Sequence, residues 1–229
     1  MIRQPDIVLH ANGRPTRGYL ARPAADEPRP GVVVIQEWWG LNDHIRDIVD
    51  RLAGAGFVAL APDLYYGQTA AEPDEARKLA MALEYPDALG VIQAAIDYLT
   101  ADDGVAPSKI GVVGFCMGGG LAWHGAAKLD GVGAAVPCYG GGPEMTPDEA
   151  AQIRAPILAI YGELDQGVSP AVAQQRAALM DAAGVAHETI IYPGAGHAFM
   201  NDRRPVYDPA AAEDAWQRII AFFRHNLRA

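Results

Sequence analysis

The chain has 229 residues, half of them apolar, and 28 acidic against 18 basic side chains give it a formal charge of −10. That length and apolar share suffice to bury a core in one domain without disulfides or metal, while the charge, with no Lys/Arg cluster to offset it locally, disfavours nucleic acid and anionic lipid. Met1 to Gly13 carries Arg3 and Asp6 where an export signal needs an apolar core, and the longest apolar run, Leu52 to Ala61, is too short to span a membrane, so a cytoplasmic protein without a membrane partner is expected.

In chain order, Ile7 to Leu9 and Thr16 to Leu20 flank Asn12-Gly13, a pair suited to the positive φ of a tight turn, and predict an antiparallel hairpin. Short, continuously apolar runs follow at Val32–Ile35, Phe57–Ala61, Ile110–Phe115, Ala134–Val136, Ile157–Tyr161 and Thr189–Tyr192, the pattern of strands covered on both faces. Between them, Ile45, Ile48, Val49 and Leu52, then Leu89, Ile92, Ile96 and Leu99, then Trp216, Ile219, Ile220, Phe223 and Leu227, each make one helical stripe. Thr146-Pro147 with Glu149, Ser169-Pro170 and Asp208-Pro209 mark helix starts. Alternating strands and helices predict one α/β domain over residues 1–229, a mostly parallel sheet with helices on both faces and its chemistry at the carboxyl ends of the strands.

The sharpest motif is Gly114-Phe115-Cys116-Met117-Gly118, placed after the strand at Ile110–Val113 and before a helical segment at Leu121–Leu129. Glycines on both sides of a nucleophile permit a strained strand-to-helix turn that lifts the thiol above the sheet, where the helix N-terminus favours thiolate and the Met117 N–H can serve an oxyanion hole. Asp165 follows the strand ending at Tyr161, and His197 follows the last strand, so nucleophile, acid and histidine come in the order of a hydrolase triad. Of the remaining histidines, His10, His44, His124, His187 and His225 lack such a context and are read as structural. Glu37, in Gln36-Glu37-Trp38-Trp39-Gly40, follows the first apolar strand; there the Trp38 N–H is the candidate second oxyanion donor. A carboxyl beside two tryptophans is expected to titrate high. Two cysteines make no disulfide framework, and no Cys/His spacing matches a zinc site.

These segments, with Ala61-Pro62-Asp63-Leu64-Tyr65, Tyr139-Gly140 and Gly196-His197-Ala198-Phe199, resemble the dienelactone hydrolase family (carboxymethylenebutenolidases) of the α/β-hydrolase superfamily. The resemblance implies a Cys116, His197, Asp165 triad with Glu37 near the thiol and controlling its ionisation. It implies hydrolysis of a small ester or lactone without metal or other cofactor, and it makes Tyr139 a substrate-binding candidate. In the characterised enzymes arginines bind the substrate carboxylate, one of them shortly after the catalytic histidine; here the position four after His197 is Asn201, with Arg203 and Arg204 further on as candidates. Arg77 lies in the excursion after the second apolar strand, out of the family's register.

Two other classes compete. Gly111, Gly114 and Gly118 do not form a dinucleotide fingerprint and no P-loop lysine follows, which argues against a nucleotide-binding protein. A thiol redox sensor on the same fold would use Cys116 or Cys138. Nothing in the sequence specifies an oligomeric state.

Overall fold

A computed structural model describes residues 1–25 and 27–228. Among them, β1 (Ile2–Ala11) and β2 (Arg14–Arg22) form the expected hairpin around Asn12-Gly13. They are followed by β3 (Gly31–Ile35), α1 (Asp43–Gly54), β4 (Val58–Pro62), α2 (Pro73–Ala82), α3 (Tyr85–Thr100) and β5 (Ile110–Phe115). The chain continues through α4 (Met117–Lys128), β6 (Val132–Cys138), α5 (Pro147–Ala150), β7 (Ile157–Gly162), α6 (Pro170–Ala183), β8 (His187–Tyr192) and α7 (Pro209–Asn226).

The strands build one sheet of order β1-β2-β4-β3-β5-β6-β7-β8. The hairpin joins antiparallel through β2 and β4, and every pairing from β4 to β8 is parallel. Alternation along each strand divides the core. Val32 and Val34 face Ile45, Ile48 and Leu52 of α1 and Ile219 and Phe223 of α7, whereas Val33 and Ile35 face Ile92, Ile96 and Leu99 of α3. Each such side chain, fully buried, contributes on the order of 2 kcal/mol of transfer free energy. The Asn42 side chain caps α1 by accepting the Ile45 N–H at 3.2 Å.

The cap signals locate helix starts but not lengths. Thr146 and Glu149 form the reciprocal capping box, yet the helix they open is only four residues long, because the chain must turn at Pro156 into β7. No single helix among the described residues is long and apolar enough to cross a membrane.

The strand order reverses beside β3, and this positions the site. Neighbouring strands β3 and β5 run parallel in the register Ile35 to Gly114. The residues leaving β3, Gln36-Glu37-Trp38, therefore emerge beside Phe115-Cys116-Met117 at the carboxyl edge, where open α/β sheets hold ligands.

Candidate active site

Cys116 stands between β5 and α4 with φ 55° and ψ −115°, a backbone conformation costly for a residue with a Cβ. Close packing holds it there. A Cβ on Gly118 would lie 2.5 Å from the carbonyl oxygens of Ile35 and Gln36, and one on Gly114 would strike the Gly118 carbonyl. The Cys116 N–H donates to the Cys138 carbonyl at 3.1 Å. Side chains at either glycine would push the elbow off its seat. Cys116, Tyr139 and Ala198 are three of the five non-glycine residues with positive φ among those described, so backbone strain concentrates around the sulfur and the histidine.

His197, on the turn after β8, brings Nε2 to 3.1 Å from the Cys116 sulfur and Nδ1 to 2.7 Å from Asp165 Oδ2. Asp165 is fixed from its own turn: its Oδ1 accepts the Gly167 and Val168 N–H groups, both at 2.8 Å. Burial pushes the Asp165 carboxyl up, but the bonds from His197, Val168 and Gly167 outweigh it and hold the carboxyl below its ordinary value. Burial alone would lower the His197 imidazole; hydrogen bonding to Asp165 and Cys116 and their charges reverse this and raise it to about 10. Imidazolium is thereby the favoured form while both partners are in place.

Glu37 is only 2% exposed, so it is not an ordinary surface carboxylate. Burial raises it from 4.5 to about 7, against the opposing effects of the Asn201 hydrogen bond and the charges of His197 and Arg204. Its Oε2 accepts the Asn201 side-chain N–H at 2.7 Å, while Oε1 has no hydrogen-bond partner among the described residues. The thiol hydrogen-bonds to His197, not to Glu37; both Glu37 and Cys116 nevertheless line one cavity.

That cavity, of about 460 Å³, is bounded by Glu37, Trp38, Cys116, His197, Arg204 and Val206, with Trp39, Ala198, Asn201 and Pro205 completing its wall. The Trp38 and Trp39 rings meet edge to face at 5.1 Å, and the Arg204 guanidinium lies 3.7 Å from the Trp39 ring centre. An apolar wall with one stacked cation suits a small, partly flat substrate that bears a carbonyl near the sulfur.

The candidate residues separate clearly. Cys116, His197, Asp165 and Glu37 converge. The Trp38 and Met117 N–H groups have no protein acceptor among the described residues and flank the elbow, one in the turn after β3 and the other at the first residue of α4. Arg204 lines the cavity, but Arg203 does not: it is exposed and lies 3.5 Å from Asp202.

Tyr139 is placed differently from the other candidates. It is fully buried and absent from the cavity wall, with its ring packed edge-on to His197 at 5.4 Å and to Phe199 at 5.7 Å. Its ring packs against the His197 imidazole and so helps to hold it in place. Cys138 is likewise fully buried, and burial pushes its thiol well above the ordinary range; a thiol so protonated is poorly suited to redox sensing. Asn201 as the partner of Glu37 is a contact that the sequence does not announce. No group of three or more His, Cys, Asp or Glu side chains able to hold a metal ion occurs among the described residues.

Comparison with known proteins places the chain. A protein of Aquifex pyrophilus named usf is 41% identical over 96% of this chain and 98% of its own length. One from Aquifex aeolicus, named as a candidate carboxymethylenebutenolidase, is 38% identical over 97% and 98%. The crystal structure of a candidate dienelactone hydrolase from Klebsiella pneumoniae superposes with a TM-score of 0.88 at 32% identity, covering 97% of this chain and 98% of that one. The dienelactone hydrolase family model matches residues 16–227, and the chain belongs to that family of α/β-hydrolase enzymes.

Proposed function

We propose that this enzyme hydrolyses lactones and activated esters of small carboxylic acids through Cys116, with His197 as general base and acid and Asp165 as its orienting partner. The observation that carries the reading is the unbroken contact chain that runs inward from the cavity wall: sulfur to Nε2 at 3.1 Å, then Nδ1 to the buried carboxylate at 2.7 Å. Nucleophile, base and orienter within hydrogen-bond reach are the requirement for covalent acyl transfer.

With the thiol proton already on His197 Nε2, the sulfur attacks the substrate carbonyl carbon, and the carbonyl π pair moves onto oxygen. The N–H groups of Trp38 and Met117 stabilise that oxyanion. Its collapse breaks the carbon–oxygen bond, and the leaving oxygen takes the proton from His197; in a lactone it stays tethered to the acyl chain. Water, deprotonated by His197, then attacks the thioester, and the sulfur departs with its electron pair while the proton stays on His197, restoring the resting pair. Asp165 keeps Nδ1–H directed at itself throughout and stabilises the imidazolium.

Thiolate is also a good leaving group, so the first adduct goes forward only if the ester's own leaving group is comparably good. Enol lactones, activated esters and thioesters fit this, and unactivated amides do not. Glu37, when ionised, disfavours a second negative charge on the sulfur that lines the same cavity. A cytoplasmic setting, where thiols stay reduced, suits the two free cysteines.

The test is mass spectrometry of enzyme quenched during turnover of a slow activated ester. An acyl adduct on the peptide bearing Cys116, absent in Cys116→Ala, is expected; an adduct elsewhere, or turnover surviving in Cys116→Ala, refutes the assignment.

A further inference from the structure

Asn201 is nearly as buried as Glu37, at 2% exposure each, and its side chain faces two ways. The amide N–H donates to Glu37 Oε2 at 2.7 Å, and the amide oxygen accepts the Arg203 N–H at 3.0 Å. The segment around it is tied back on itself, with the Asn201 N–H on the Ala198 carbonyl and the Arg204 N–H on the Asn201 carbonyl. An asparagine with its oxygen held by backbone cannot flip, so the N–H presented to Glu37 is fixed.

We infer that Asn201 is a positioning residue: by holding Oε2 of Glu37, it leaves Oε1 as the oxygen that gains and loses the proton in the cavity that Cys116 also lines. An oxygen already accepting an N–H is the poorer site for a proton, and Oε1 has no hydrogen-bond partner among the described residues. The amide also matters for what it is not. A cation at this place would keep Glu37 ionised, whereas a neutral donor lets burial compete.

The groups facing Glu37 are His197 and Arg204, whose charges favour its ionised form, and the buried Tyr139 hydroxyl, itself without a partner among the described residues. Cys116 shares the cavity wall. This inference rests on the proposed role of Glu37 at the thiol, although the state of the carboxyl can be read without turnover.

The test uses infrared spectroscopy of the full chain carrying glutamate labelled with carbon-13 at the side-chain carboxyl. The acid carbonyl band that Glu37→Gln removes belongs to Glu37, and its loss with rising pH gives the midpoint. Asn201→Asp is the discriminating variant. It keeps an oxygen for the Arg203 N–H, and so the turn, but replaces the N–H facing Glu37 with a second carboxylate oxygen. Two carboxyls at that distance share a proton, so the midpoint is expected to rise by more than one pH unit, about a tenfold change in the proton equilibrium. Asn201→Ala, which removes the donor to Glu37 together with the acceptor of the Arg203 N–H and adds no carboxylate, is expected to raise it less.

An unchanged midpoint in folded Asn201→Asp overturns the inference, as does the absence of any Glu37-dependent acid band in the wild type below neutral pH. If Cys116→Ala kept its turnover, the functional reading would fail while this spectroscopic result still decided the role of Asn201.

Discussion

His197 Nε2 and the Cys116 sulfur lie 3.1 Å apart although 81 positions separate them in the chain. No local structure makes that contact; it exists because β5 is central and β8 lies at the sheet edge, with both chain exits on the carboxyl side.

The contact predicts a sharp contrast between histidines. His124 is more deeply buried than His197, and it lies on α4 with Nε2 3.4 Å from the Pro143 carbonyl and its ring edge-on to Tyr85 at 5.4 Å. His197→Ala should cost several powers of ten in kcat/KM for an activated ester, whereas His124→Ala should act mainly through stability. Equal losses in two variants of unchanged fold, judged by circular dichroism, would show that His197 has been assigned wrongly.

Asp165→Asn tests the other end of the relay. Both carboxylate oxygens are engaged, one by two backbone N–H groups and the other by His197 Nδ1. The amide keeps one acceptor for the turn but presents N–H to the imidazole, so the wrong tautomer is favoured and the imidazolium loses its counter-charge. A fall in kcat of roughly three to four powers of ten is expected, with little change in KM. NMR titration should show the His197 imidazole falling from about 10; if it stayed there, Cys116 alone would be maintaining the shift.

Most of this geometry was legible in the sequence because it rests on local signals: a glycine-flanked cysteine after an apolar strand, and an acid and a histidine at later strand ends. The parts that were not legible depend on how loops fold back. The side of the sheet end that Tyr139 faces is set by packing against Phe199 and His197, and no periodicity extends past Cys138 to foretell it. The segment after His197 has no repeat from which to tell Arg203 from Arg204. Only the tie of the Asp208 N–H to the Phe199 carbonyl, with the turn at Asn201, sends one arginine to the cavity and the other to solvent.

That separation carries its own prediction. Arg204 presents its guanidinium to the cavity above Trp39, so it is the side chain that can meet an anionic group on substrate. For a pair of activated esters differing only by a free carboxylate, Arg204→Met should lower kcat/KM for the acid by roughly ten- to a hundredfold relative to the neutral ester, the range of one charge-assisted hydrogen bond. Arg203→Met should leave the ratio near the wild-type value. A ratio that follows Arg203, or neither arginine, would remove Arg204 from substrate selection.

The last prediction concerns the stability cost of burying Glu37. Its carboxyl titrates at about 7 in the fold against an ordinary 4.5, with burial as the largest cause. The raised value means that the folded state binds the proton more tightly than the unfolded chain does. The stabilising contribution is therefore fully present below pH 4.5, is lost as pH rises toward 7, and above 7 the fold holds a buried charge. At 1.36 kcal/mol per pH unit, that interval is worth about 3 kcal/mol at most. Glutamine keeps an oxygen for the Asn201 N–H and has no proton to lose, so Glu37→Gln escapes this dependence. Its Tm relative to wild type should be least favourable near pH 4.5, climb between pH 4.5 and 7, and level off above, by up to roughly 6–12 °C for a chain of this size. Thermal unfolding of both proteins from pH 4 to 9 gives the curve. A difference in Tm that is flat with pH would mean that Glu37 ionises in the fold as it does in the unfolded chain, and a difference that falls with rising pH would mean that its charge is stabilised by its surroundings.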